Sequence, residues 1–346
     1  MGVKVAVNGF GRIGRMVFRK LVAEGKSEVV AINASYPAST LAHLIKYDTV
    51  HGKFPYDVEI AEDGLLVDGK FVKIVSDRNP ELLPWGELGV DIVVEATGKF
   101  NSLEGAGKHL KAGAKKVVIT APAKGDLRTI VMGVNDGVYD HATDDVVSNA
   151  SCTTNCLAPV VQVLDRAFGI ESGLVTTVHA FTNDQNNIDN PHKDLRRARA
   201  CGSSIIPTST GAAKAISLVL PHLEGKLNGL ALRVPTPNVS LVDLVVEVSR
   251  ETTVAEVNQA FEEASLGQLD GILGITMEPL VSIDFNGEER STVVDGLSTM
   301  VMGGRQVKVL AWYDNEWGYS CRVVDLVHLV GAHLEAANGA RELEVN

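Results

Sequence analysis

The chain has 346 residues, more than one ordinary hydrophobic core accommodates, so we expect two domains. Its 45% hydrophobic and 22% charged residues are typical of a globular protein with a sizeable core. The formal net charge of −11, with no basic cluster among aromatic residues, argues against a nucleic-acid partner. No apolar run is long enough to cross a bilayer, so we expect no membrane association either.

The cysteines and the N-terminus indicate the cellular compartment. Cys152, Cys156, Cys201 and Cys321 have neither the spacing of a zinc site nor the density of a disulfide framework. The N-terminus enters a strand pattern at once, without the charged and apolar regions of a signal peptide. We therefore expect a reduced, cytoplasmic protein without a bound metal.

The first 120 residues alternate short apolar strands with helical stretches. The strands are nearly continuous runs of valine and isoleucine, as in a parallel sheet that is covered on both faces. This pattern predicts an N-terminal α/β domain of the Rossmann type. The predicted strands are residues 3–7, 29–33, 91–96 and 117–120, and the predicted helices are residues 11–24 and 102–112.

The later part of the chain has longer, half-polar strands. In residues 239–249 one face is valine and leucine while the other carries acids and a serine, which favours an antiparallel sheet with one buried face. Thr253 and Glu256 form a capping-box pattern that predicts a helix start. We therefore expect an α+β domain with a largely antiparallel sheet, followed by a helix near residues 319–337. The other predicted strands are residues 173–181, 229–234 and 305–313.

The stretch NGFGRIGR lies between the first strand and the first helix and contains three glycines. Gly9 permits a tight turn, Gly11 lets the backbone approach a pyrophosphate, and Gly14 lets the helix pack closely on the strand. The N–H groups of the helix N-terminus favour an anion. A purely structural turn is the alternative, but the strand–turn–helix context favours dinucleotide binding.

The end of the second strand indicates which dinucleotide binds. NAD sites usually have an acid about 20 residues after the glycines, which accepts a hydrogen bond from the ribose 2′-hydroxyl. Here Asn33, Ala34 and Ser35 occupy that place. A 2′-phosphate therefore meets no like charge and can bond to Ser35, although no Arg or Lys is near in the sequence. We predict that NADP is accepted and preferred over NAD.

The stretch SNASCTTNC places Cys152 among small hydroxyl residues just before a helical run. The helix dipole and the N–H groups of the first turn favour a thiolate there, so we expect an acidic, reactive thiol. Pro159 predicts that this helix is kinked early or begins later. Cys156, one turn on, is expected to face the core. A resolving role of Cys156 in redox sensing is the alternative.

A histidine and three further stretches supply the rest of a candidate site. His179 lies in a predicted strand and would act with Cys152 as base and nucleophile, although a lone histidine in a strand is more often a core residue. HKDLRRAR is basic, PTSTGAAK is a hydroxyl-and-glycine turn before a helix, and LRVPTPN has a lone Arg233 in an apolar strand. In an acidic protein these stretches indicate two anion sites near one thiol.

Together these motifs resemble phosphorylating glyceraldehyde-3-phosphate dehydrogenases over essentially the whole chain. The resemblance implies conversion of D-glyceraldehyde 3-phosphate to 1,3-bisphosphoglycerate, and the reverse, through a Cys152 thiohemiacetal and thioester. It implies His179 as the base, NADP or NAD as the hydride acceptor, inorganic phosphate as the attacking group, and a homotetramer. The motifs that carry the resemblance are NGFGRIGR, ASCTTNC, TNDQ, HKDLRRAR, TSTGAAK, LRVPTPNVSLVD and WYDNEWGYS.

The resemblance also assigns binding residues by motif. The residues assigned to the phosphate of the substrate are Thr182, Arg197 and Arg233. The residues assigned to the attacking phosphate are Ser151, Thr153, Thr210 and Gly211. The residues assigned to the cofactor are Gly9, Gly11, Arg12, Ile13 and Gly14 in the turn, Asn33, Ala34 and Ser35 after the second strand, Arg78 at the adenine end, Thr97 and Thr120 along the cofactor, and Asn315 and Tyr319 at the nicotinamide.

Two positions depart from the NAD-preferring members of the family and resemble its NADP-preferring bacterial branch, which is associated with gluconeogenesis. Ala34 stands where those members have an acid, and Asn190 stands where they usually have leucine. The resemblance places Asn190 in a loop that reaches the cofactor site of a neighbouring subunit. A polar residue there would accommodate a 2′-phosphate.

Two alternative functions stay open at this point. An erythrose-4-phosphate dehydrogenase would use the same thiol and turn on a longer aldehyde, and one extra small group discriminates weakly. A non-catalytic thiol redox sensor would use Cys152 and Cys156 but leaves His179 unexplained. For the domains, we predict a cofactor domain over residues 1–151, a catalytic domain over residues 152–314, and a C-terminal helix, residues 315–346, that returns to the cofactor domain.

Overall fold

The computed structural model describes residues 2–345, with side chains for residues 2–337 and 339. The chain forms two units, each built on its own eight-stranded sheet. The first unit comprises Met1–Ile130, Gly137–Ala150 and Ser320–Asn346, and the second comprises Val131–Asp136 and Ser151–Tyr319.

The boundaries differ from the predicted ones in three places, the smallest being that the second unit begins at Ser151 rather than at residue 152. Residues 131–136 group with the second unit, where the Val134 carbonyl accepts a hydrogen bond from Gln162. The C-terminal segment groups with the first unit from Ser320 rather than from residue 315. Asn315 stays in the second unit because its side chain accepts a hydrogen bond from Ser240.

The first unit alternates strands and helices, as its valine-rich pattern predicts. Its helices are α1 (Arg12–Glu24), α2 (Ala38–Lys46), α3 (Leu103–Ala106) and α4 (Lys108–Lys111). Its strands are β1 (Lys4–Asn8), β2 (Glu28–Asn33), β3 (Tyr47–Asp48), β4 (Gly52–Lys53), β5 (Val58–Ala61), β6 (Gly64–Val67), β7 (Lys70–Val75), β8 (Ile92–Glu95), β9 (Lys116–Ile119) and β10 (Val146–Ser148).

The sheet of the first unit has the strand order β10-β9-β8-β1-β2-β7-β6-β5. The strands from β10 to β7 pair in parallel, and the hairpin of β5 and β6 extends the edge in the antiparallel sense. Val5, Val7 and Val93 are fully buried, as expected for central strands covered on both faces. The Rossmann-type prediction is therefore confirmed. The single helix predicted over residues 102–112 is instead the pair α3 and α4, separated at Gly107, because glycine weakens a helix.

The second unit contains the largely antiparallel sheet that the alternating strands predict. Its helices are α5 (Cys152–Phe168), α6 (Ala212–Val219) and α7 (Val254–Leu266). Its strands are β11 (Ile170–Ala180), β12 (Ile206–Ser209), β13 (Leu227–Val234), β14 (Ser240–Val248), β15 (Leu273–Thr276), β16 (Thr292–Asp295), β17 (Met300–Met302) and β18 (Gln306–Tyr313). The strand order is β12-β13-β11-β14-β18-β16-β15, with β17 beside β18.

Two details of this unit follow from the sequence pattern. Every second residue of β14 is buried, so valine and leucine face the core while Asp243 and Glu247 face outward. The capping box at Thr253 is confirmed: its hydroxyl accepts the Glu256 N–H, and the Glu256 carboxylate accepts the Thr253 N–H.

Within the sheet of the second unit, only β11 with β13 and β15 with β16 pair in parallel. The last helix, α8 (Trp317–Val345), is longer than predicted, and among the described residues no helix is both long and apolar enough to span a membrane.

The turn between β1 and α1 depends on two glycines for different reasons. Gly9 has a φ of +93°, which favours glycine, and a Cβ there would lie 2.7 Å from Thr97. A Cβ on Gly14 would lie 2.1 Å from the carbonyl oxygen of Gly9. By contrast, a Cβ on Gly11 would meet no atom within 4 Å. The turn is therefore closed at Gly9 and Gly14 and open at Gly11.

We predict that Gly14→Ala destabilises the protein, because α1 must move away from β1 to admit the methyl group. The free energy of unfolding should fall by more than about 2 kcal/mol. Gly11→Ala is the matched control and should stay within about 1 kcal/mol of the parent. Urea unfolding measures both, and equal losses for the two variants would contradict the steric account.

Candidate active site

Cys152 is the first residue of α5, and the residue before it caps this helix. The Ser151 hydroxyl accepts the N–H of Thr154 at 3.1 Å, so the helix begins at Cys152 and not later. Pro159 lies inside the continuous helix. Cys156 is fully buried and its sulfur lies 3.3 Å from the hydroxyl of Thr292, which confirms that it faces the core.

The structure brings the sulfur of Cys152 and the imidazole of His179 together. His179 is near the end of β11, and its Nε2 lies 3.5 Å from Sγ of Cys152. On the other side of the ring, Nδ1 lies 2.6 Å from the carbonyl oxygen of Ala180, which can only accept a hydrogen bond. The proton of the neutral ring is therefore on Nδ1, and Nε2 presents its lone pair to the thiol.

The ionisation of this pair is controlled by burial and by one cation. Burial lowers the pKa of His179 to about 3, the charge of Arg233 adds to the effect, and the bond to Ala180 opposes it. Burial also raises the pKa of Cys152, although Arg233 and hydrogen bonding from Thr153 oppose this. The resting pair is thus a thiol and a neutral imidazole. The effect of burial on the pKa of Cys152 runs against the expectation of an acidic thiol, whereas Arg233 and Thr153 act in its favour.

The sheet register positions Arg233 beside His179. The two residues are paired across the parallel strands β11 and β13. The guanidinium Nη1 lies 3.0 Å from Nδ1 of His179 and donates a hydrogen bond to the Ala180 carbonyl at 3.0 Å. Its Nε is buried without a hydrogen-bond partner in the described part of the chain. A half-buried cation with an unused N–H donor is suited to an anion.

Arg197 is the second cation, and its orientation is fixed by partners that the sequence did not reveal. Its Nε donates to the hydroxyl of Thr208 at 2.9 Å, and its Nη1 forms an ion pair with Asp184. The hydroxyl of Thr208 donates in turn to Asp194 at 2.6 Å. The charge of Arg197 lowers the pKa values of Arg233 and His179, so it acts on the same site. Asp184 lies in the TNDQ motif, which was the available signal.

The residues assigned to the phosphate sites differ in exposure and in the hydrogen bonds that they already form. The Thr153 hydroxyl is buried and lies 2.9 Å from the hydroxyl of Tyr313, a residue that sequence reasoning missed although it belongs to the WYDNEWGYS motif. The Thr210 hydroxyl accepts the N–H of Ala212 at the start of α6, and Gly211 beside it is exposed. Thr182 is half-buried, and its N–H lies 3.4 Å from the Gln185 side chain.

Several assigned cofactor residues of the first unit have side chains that are already engaged. Arg12 forms an ion pair with Asp48. The Asn33 amide donates to Asn8 and to the Asp77 carbonyl and accepts the Asp77 N–H, so its side chain is used within the protein. The Thr97 and Thr120 hydroxyls both donate to Glu95, to its carboxylate and its carbonyl respectively.

The sheet order shows which segment lies beside the end of β2. β2 pairs with β7, with Asn33 opposite Val75, and Arg78 follows β7 by three residues. Arg78 and Ser35 are exposed, and Ala34 is half-buried. Sheet order rather than sequence distance determines the neighbours of this strand end, so Arg78, which the resemblance assigned to the adenine end of the cofactor, follows the strand that pairs with β2.

The remaining assigned residues are accounted for as follows. Ile13 is half-buried in the first turn of α1. Asn315 is buried in the second unit, and its side-chain oxygen accepts the hydroxyl of Ser240 at 2.8 Å. Tyr319 is also buried. Asn190 is exposed, with its N–H donating to the Ala198 carbonyl.

Comparison with known proteins identifies the family. A model described as "Glyceraldehyde 3-phosphate dehydrogenase, NAD binding domain" matches residues 3–103. A model described as "Glyceraldehyde 3-phosphate dehydrogenase, C-terminal domain" matches residues 151–315. The chain belongs to the glyceraldehyde-3-phosphate dehydrogenase family.

Curated relatives in this family match almost the whole chain. Glyceraldehyde-3-phosphate dehydrogenase 2 of Bacillus subtilis is 65% identical over 335 residues, which cover 97% of this chain and 98% of that protein. Glyceraldehyde-3-phosphate dehydrogenase 2 of Staphylococcus aureus strain Mu50 is 61% identical over 96% of this chain and 97% of its own length. Glyceraldehyde-3-phosphate dehydrogenase of Geobacillus stearothermophilus is 59% identical, covering 96% and 99%. The resemblance drawn from the motifs is confirmed.

We predict that His179→Asn slows both alkylation of Cys152 and turnover, because the ring nitrogen that accepts the thiol proton is lost. The rate constant for iodoacetamide should fall at pH 7, its rise with pH should shift to higher pH, and kcat should fall by about 10²–10⁴-fold. His222→Asn is the control, since His222 is an exposed histidine of the same unit, paired with Asp165. An alkylation profile equal to that of the parent would contradict the role of His179.

Proposed function

We propose that the protein converts D-glyceraldehyde 3-phosphate, a dinucleotide and inorganic phosphate into 1,3-bisphosphoglycerate, and catalyses the reverse reaction. The observation that carries the proposal is the approach of Cys152 Sγ to His179 Nε2, with Arg233 against the same ring. The relatives described above have names that state the same activity. If His179 were only a core packing residue, its contacts with the thiol of Cys152 and the guanidinium of Arg233 would have no explanation.

The chemistry follows from the proton positions. Nε2 of His179 takes the Sγ proton while sulfur bonds to the aldehyde carbon, and it returns that proton to the oxygen to give a thiohemiacetal. When hydride leaves that carbon, His179 takes the hydroxyl proton and a thioester on Cys152 remains. Phosphate then attacks the thioester carbon and the thiolate leaves, to be protonated by His179. Burial, to which the charge of Arg233 adds, lowers the pKa of His179, so the imidazole is neutral beforehand and able to accept a proton.

Two anion sites would serve the two phosphates. We assign the phosphate of the substrate to Thr182, Arg197 and Arg233, since both arginines act on the ring of His179 and Arg233 has an unused donor. We assign the attacking phosphate to Ser151, Thr153, Thr210 and Gly211. The exposed Gly211 before α6 supports this assignment, because a helix N-terminus favours an anion.

The turn of the first unit fits the pyrophosphate of a dinucleotide. Gly11 faces open space, and α1 begins at the next residue, so the first turn of the helix favours a negative group there. A dinucleotide bound at this turn supplies the hydride acceptor. We assign Arg78 to the adenine end of the dinucleotide, Thr97 and Thr120 to positions along it, and Asn315 and Tyr319 to the nicotinamide.

We further propose that NADP is preferred over NAD. Ala34 places no carboxylate at the end of β2, Ser35 is exposed, and Arg78 follows the neighbouring strand. A 2′-phosphate there would find a hydroxyl and a cation and no acid at position 34. Assembly as a homotetramer in the cytoplasm, with Asn190 in the loop toward a neighbouring subunit, belongs to the same proposal and rests on the family resemblance.

We predict that Ala34→Asp shifts the preference toward NAD, because the new carboxylate repels a 2′-phosphate and accepts a bond from a 2′-hydroxyl. The ratio of kcat/KM for NADP to that for NAD should fall by about tenfold or more. Ala34→Asn adds nearly the same volume without charge and should change the ratio much less. An unchanged ratio in the Asp variant would refute the account of this strand end.

Steady-state kinetics of the purified protein test the activity itself. With glyceraldehyde 3-phosphate we expect turnover that requires inorganic phosphate and is faster with NADP than with NAD. Erythrose 4-phosphate is the competing substrate, and a higher kcat/KM for it would replace the proposed aldehyde. Absence of dinucleotide reduction with both aldehydes, in protein whose Cys152 still reacts with iodoacetamide, would refute the proposed activity.

A further inference from the structure

Glu95 is a buried acid that the proposed chemistry does not use. It is the last residue of β8, and only 1% of its surface is exposed. One carboxylate oxygen, Oε1, accepts the N–H of Thr97 at 2.8 Å and also the Thr97 hydroxyl. The other, Oε2, accepts the side-chain amide of Asn8 at 2.5 Å and lies 3.0 Å from Nε2 of His109. Each of these partners can donate, so both carboxyl oxygens act as acceptors.

The proton on His109 can be assigned from its neighbours. Nδ1 of His109 lies 2.9 Å from the indole N–H of Trp85, which can only donate. Nδ1 must therefore accept, the ring is neutral, and its one proton lies on Nε2, facing Glu95. His109 and Trp85 are both fully buried. The carboxylate thus receives four hydrogen bonds and has no paired Lys or Arg among the described residues.

This network lies at a special place in the sheet. β8 and β2 flank β1 on opposite sides, and α1 connects β1 only to β2, so the chain changes direction between β1 and β8. In sheets of this kind ligands bind beyond the carboxyl ends of the strands at such a switch point. Asn8 and Glu95 are the last residues of β1 and β8 and stand opposite each other in the register. Their side-chain bond therefore spans the switch point.

The network also determines the positions of the segments that follow these strands. Asn8 accepts the Asn33 amide at 2.6 Å, which adds the end of β2. The N–H of Gly9 donates to the Asn33 carbonyl at 3.1 Å, so the glycine turn is tied to the same point. A Cβ on Gly9 would lie only 2.7 Å from Thr97. The N–H and the hydroxyl of Thr97 both donate to the Glu95 carboxylate. Moving Glu95 therefore moves Thr97 relative to the turn.

We propose that Glu95 is a positioning residue for the dinucleotide, acting through Thr97 and Asn8 rather than by contact with the cofactor. The proposal rests on the proposed use of a dinucleotide. The carboxylate sets the separation between the turn at Gly9 and the segment at Thr97. His109, held in one tautomer by Trp85, keeps the carboxylate in place.

Glu95→Gln tests this role, because the NH₂ of the new side chain would face the donors of Asn8 and His109 instead of accepting from them. If the Gln oxygen serves Thr97, its NH₂ points at the Asn8 amide and at the Nε2 proton of His109. His109 cannot change tautomer without opposing the indole N–H of Trp85. We expect the Kd for NADP, measured by calorimetry, and the KM for NADP to rise about tenfold or more. The KM for the aldehyde should stay within about twofold.

A second substitution should restore the network. In the double variant Asn8→Asp with Glu95→Gln, the carboxylate moves to position 8. It accepts the Asn33 amide, the Gln NH₂ and the Nε2 proton of His109, whose nitrogen lies 3.3 Å from the present Asn8 amide. We expect the Kd of the double variant to return to within about threefold of the parent. Asn8→Asp alone places a second carboxylate against that of Glu95. This single variant should bind NADP more weakly than the parent and more weakly than the double variant.

Asp91→Asn is the matched control. Asp91 precedes the other end of β8, where its carboxylate accepts the N–H of Lys4 at 2.8 Å and pairs with Lys115. This variant should lower the unfolding temperature without changing the Kd for NADP. If Glu95→Gln behaves in the same way, with a lower unfolding temperature and an unchanged Kd, the positioning role is refuted.

The remaining outcomes also decide the proposal. If Glu95→Gln does not fold, the double variant decides alone. A folded double variant with a Kd near that of the parent supports the network, and one with a Kd raised more than tenfold overturns it. If the parent itself binds neither NADP nor NAD, the proposed function fails, which is a different result from an unchanged Kd in a variant.

Discussion

The candidate site depends on one interaction, the contact of the half-buried Arg233 guanidinium with the ring of His179. Placing a cation in an apolar strand costs free energy, and here only the Ala180 carbonyl compensates it directly. The uncompensated charge has two effects. It adds to the burial that lowers the pKa of His179, so the ring is a neutral base at rest. It also opposes the rise that burial causes in the pKa of Cys152 and so favours the thiolate. It also leaves an N–H donor ready for an anion. A phosphate bound at Arg233 would cancel part of that charge and so raise the pKa of His179, making the base stronger when substrate is present.

The sheet of the second unit makes this contact possible. β11 and β13 are parallel neighbours, so His179 and Arg233 are paired in register and their side chains leave the sheet at the same level. The Ser151 cap begins α5 at Cys152, which places the sulfur at the end of a helix rather than in its middle. A slip of one residue in either strand would send one side chain to the opposite face. The chemistry therefore depends on register as much as on residue identity.

The sequence predicted the features that local rules control. The glycine turn, the capping box at Thr253, the buried alternation of β14 and the inward direction of Cys156 all follow from propensity and periodicity, and each is present in the structure. Features that need neighbours distant in the chain were missed. The burial that raises the pKa of Cys152, against the effect expected of the helix end, is a tertiary property that spacing does not show. Arg78 was assigned through the family resemblance alone, because no local rule shows that β7, not the next segment of chain, lies beside β2. The partners of Arg197 and the bond from Thr153 to Tyr313 likewise join residues that no spacing rule connects.

Two charged side chains, the buried Glu95 in the first unit and the half-buried Arg233 in the second, are held in a similar way. Neither has an opposite charge directly against it, and each is held by hydrogen bonds from or to uncharged groups. A paired counter-ion would stabilise either charge, but it would also occupy the group. Glu95 uses all its acceptor capacity, so it is suited to hold protein segments in place and not to bind a ligand. Arg233 keeps one donor unused, so it is suited to the opposite task. The number of donors or acceptors without a partner thus distinguishes Glu95, which is suited to support the site, from Arg233, which is suited to bind a ligand. The sequence alone does not make this distinction.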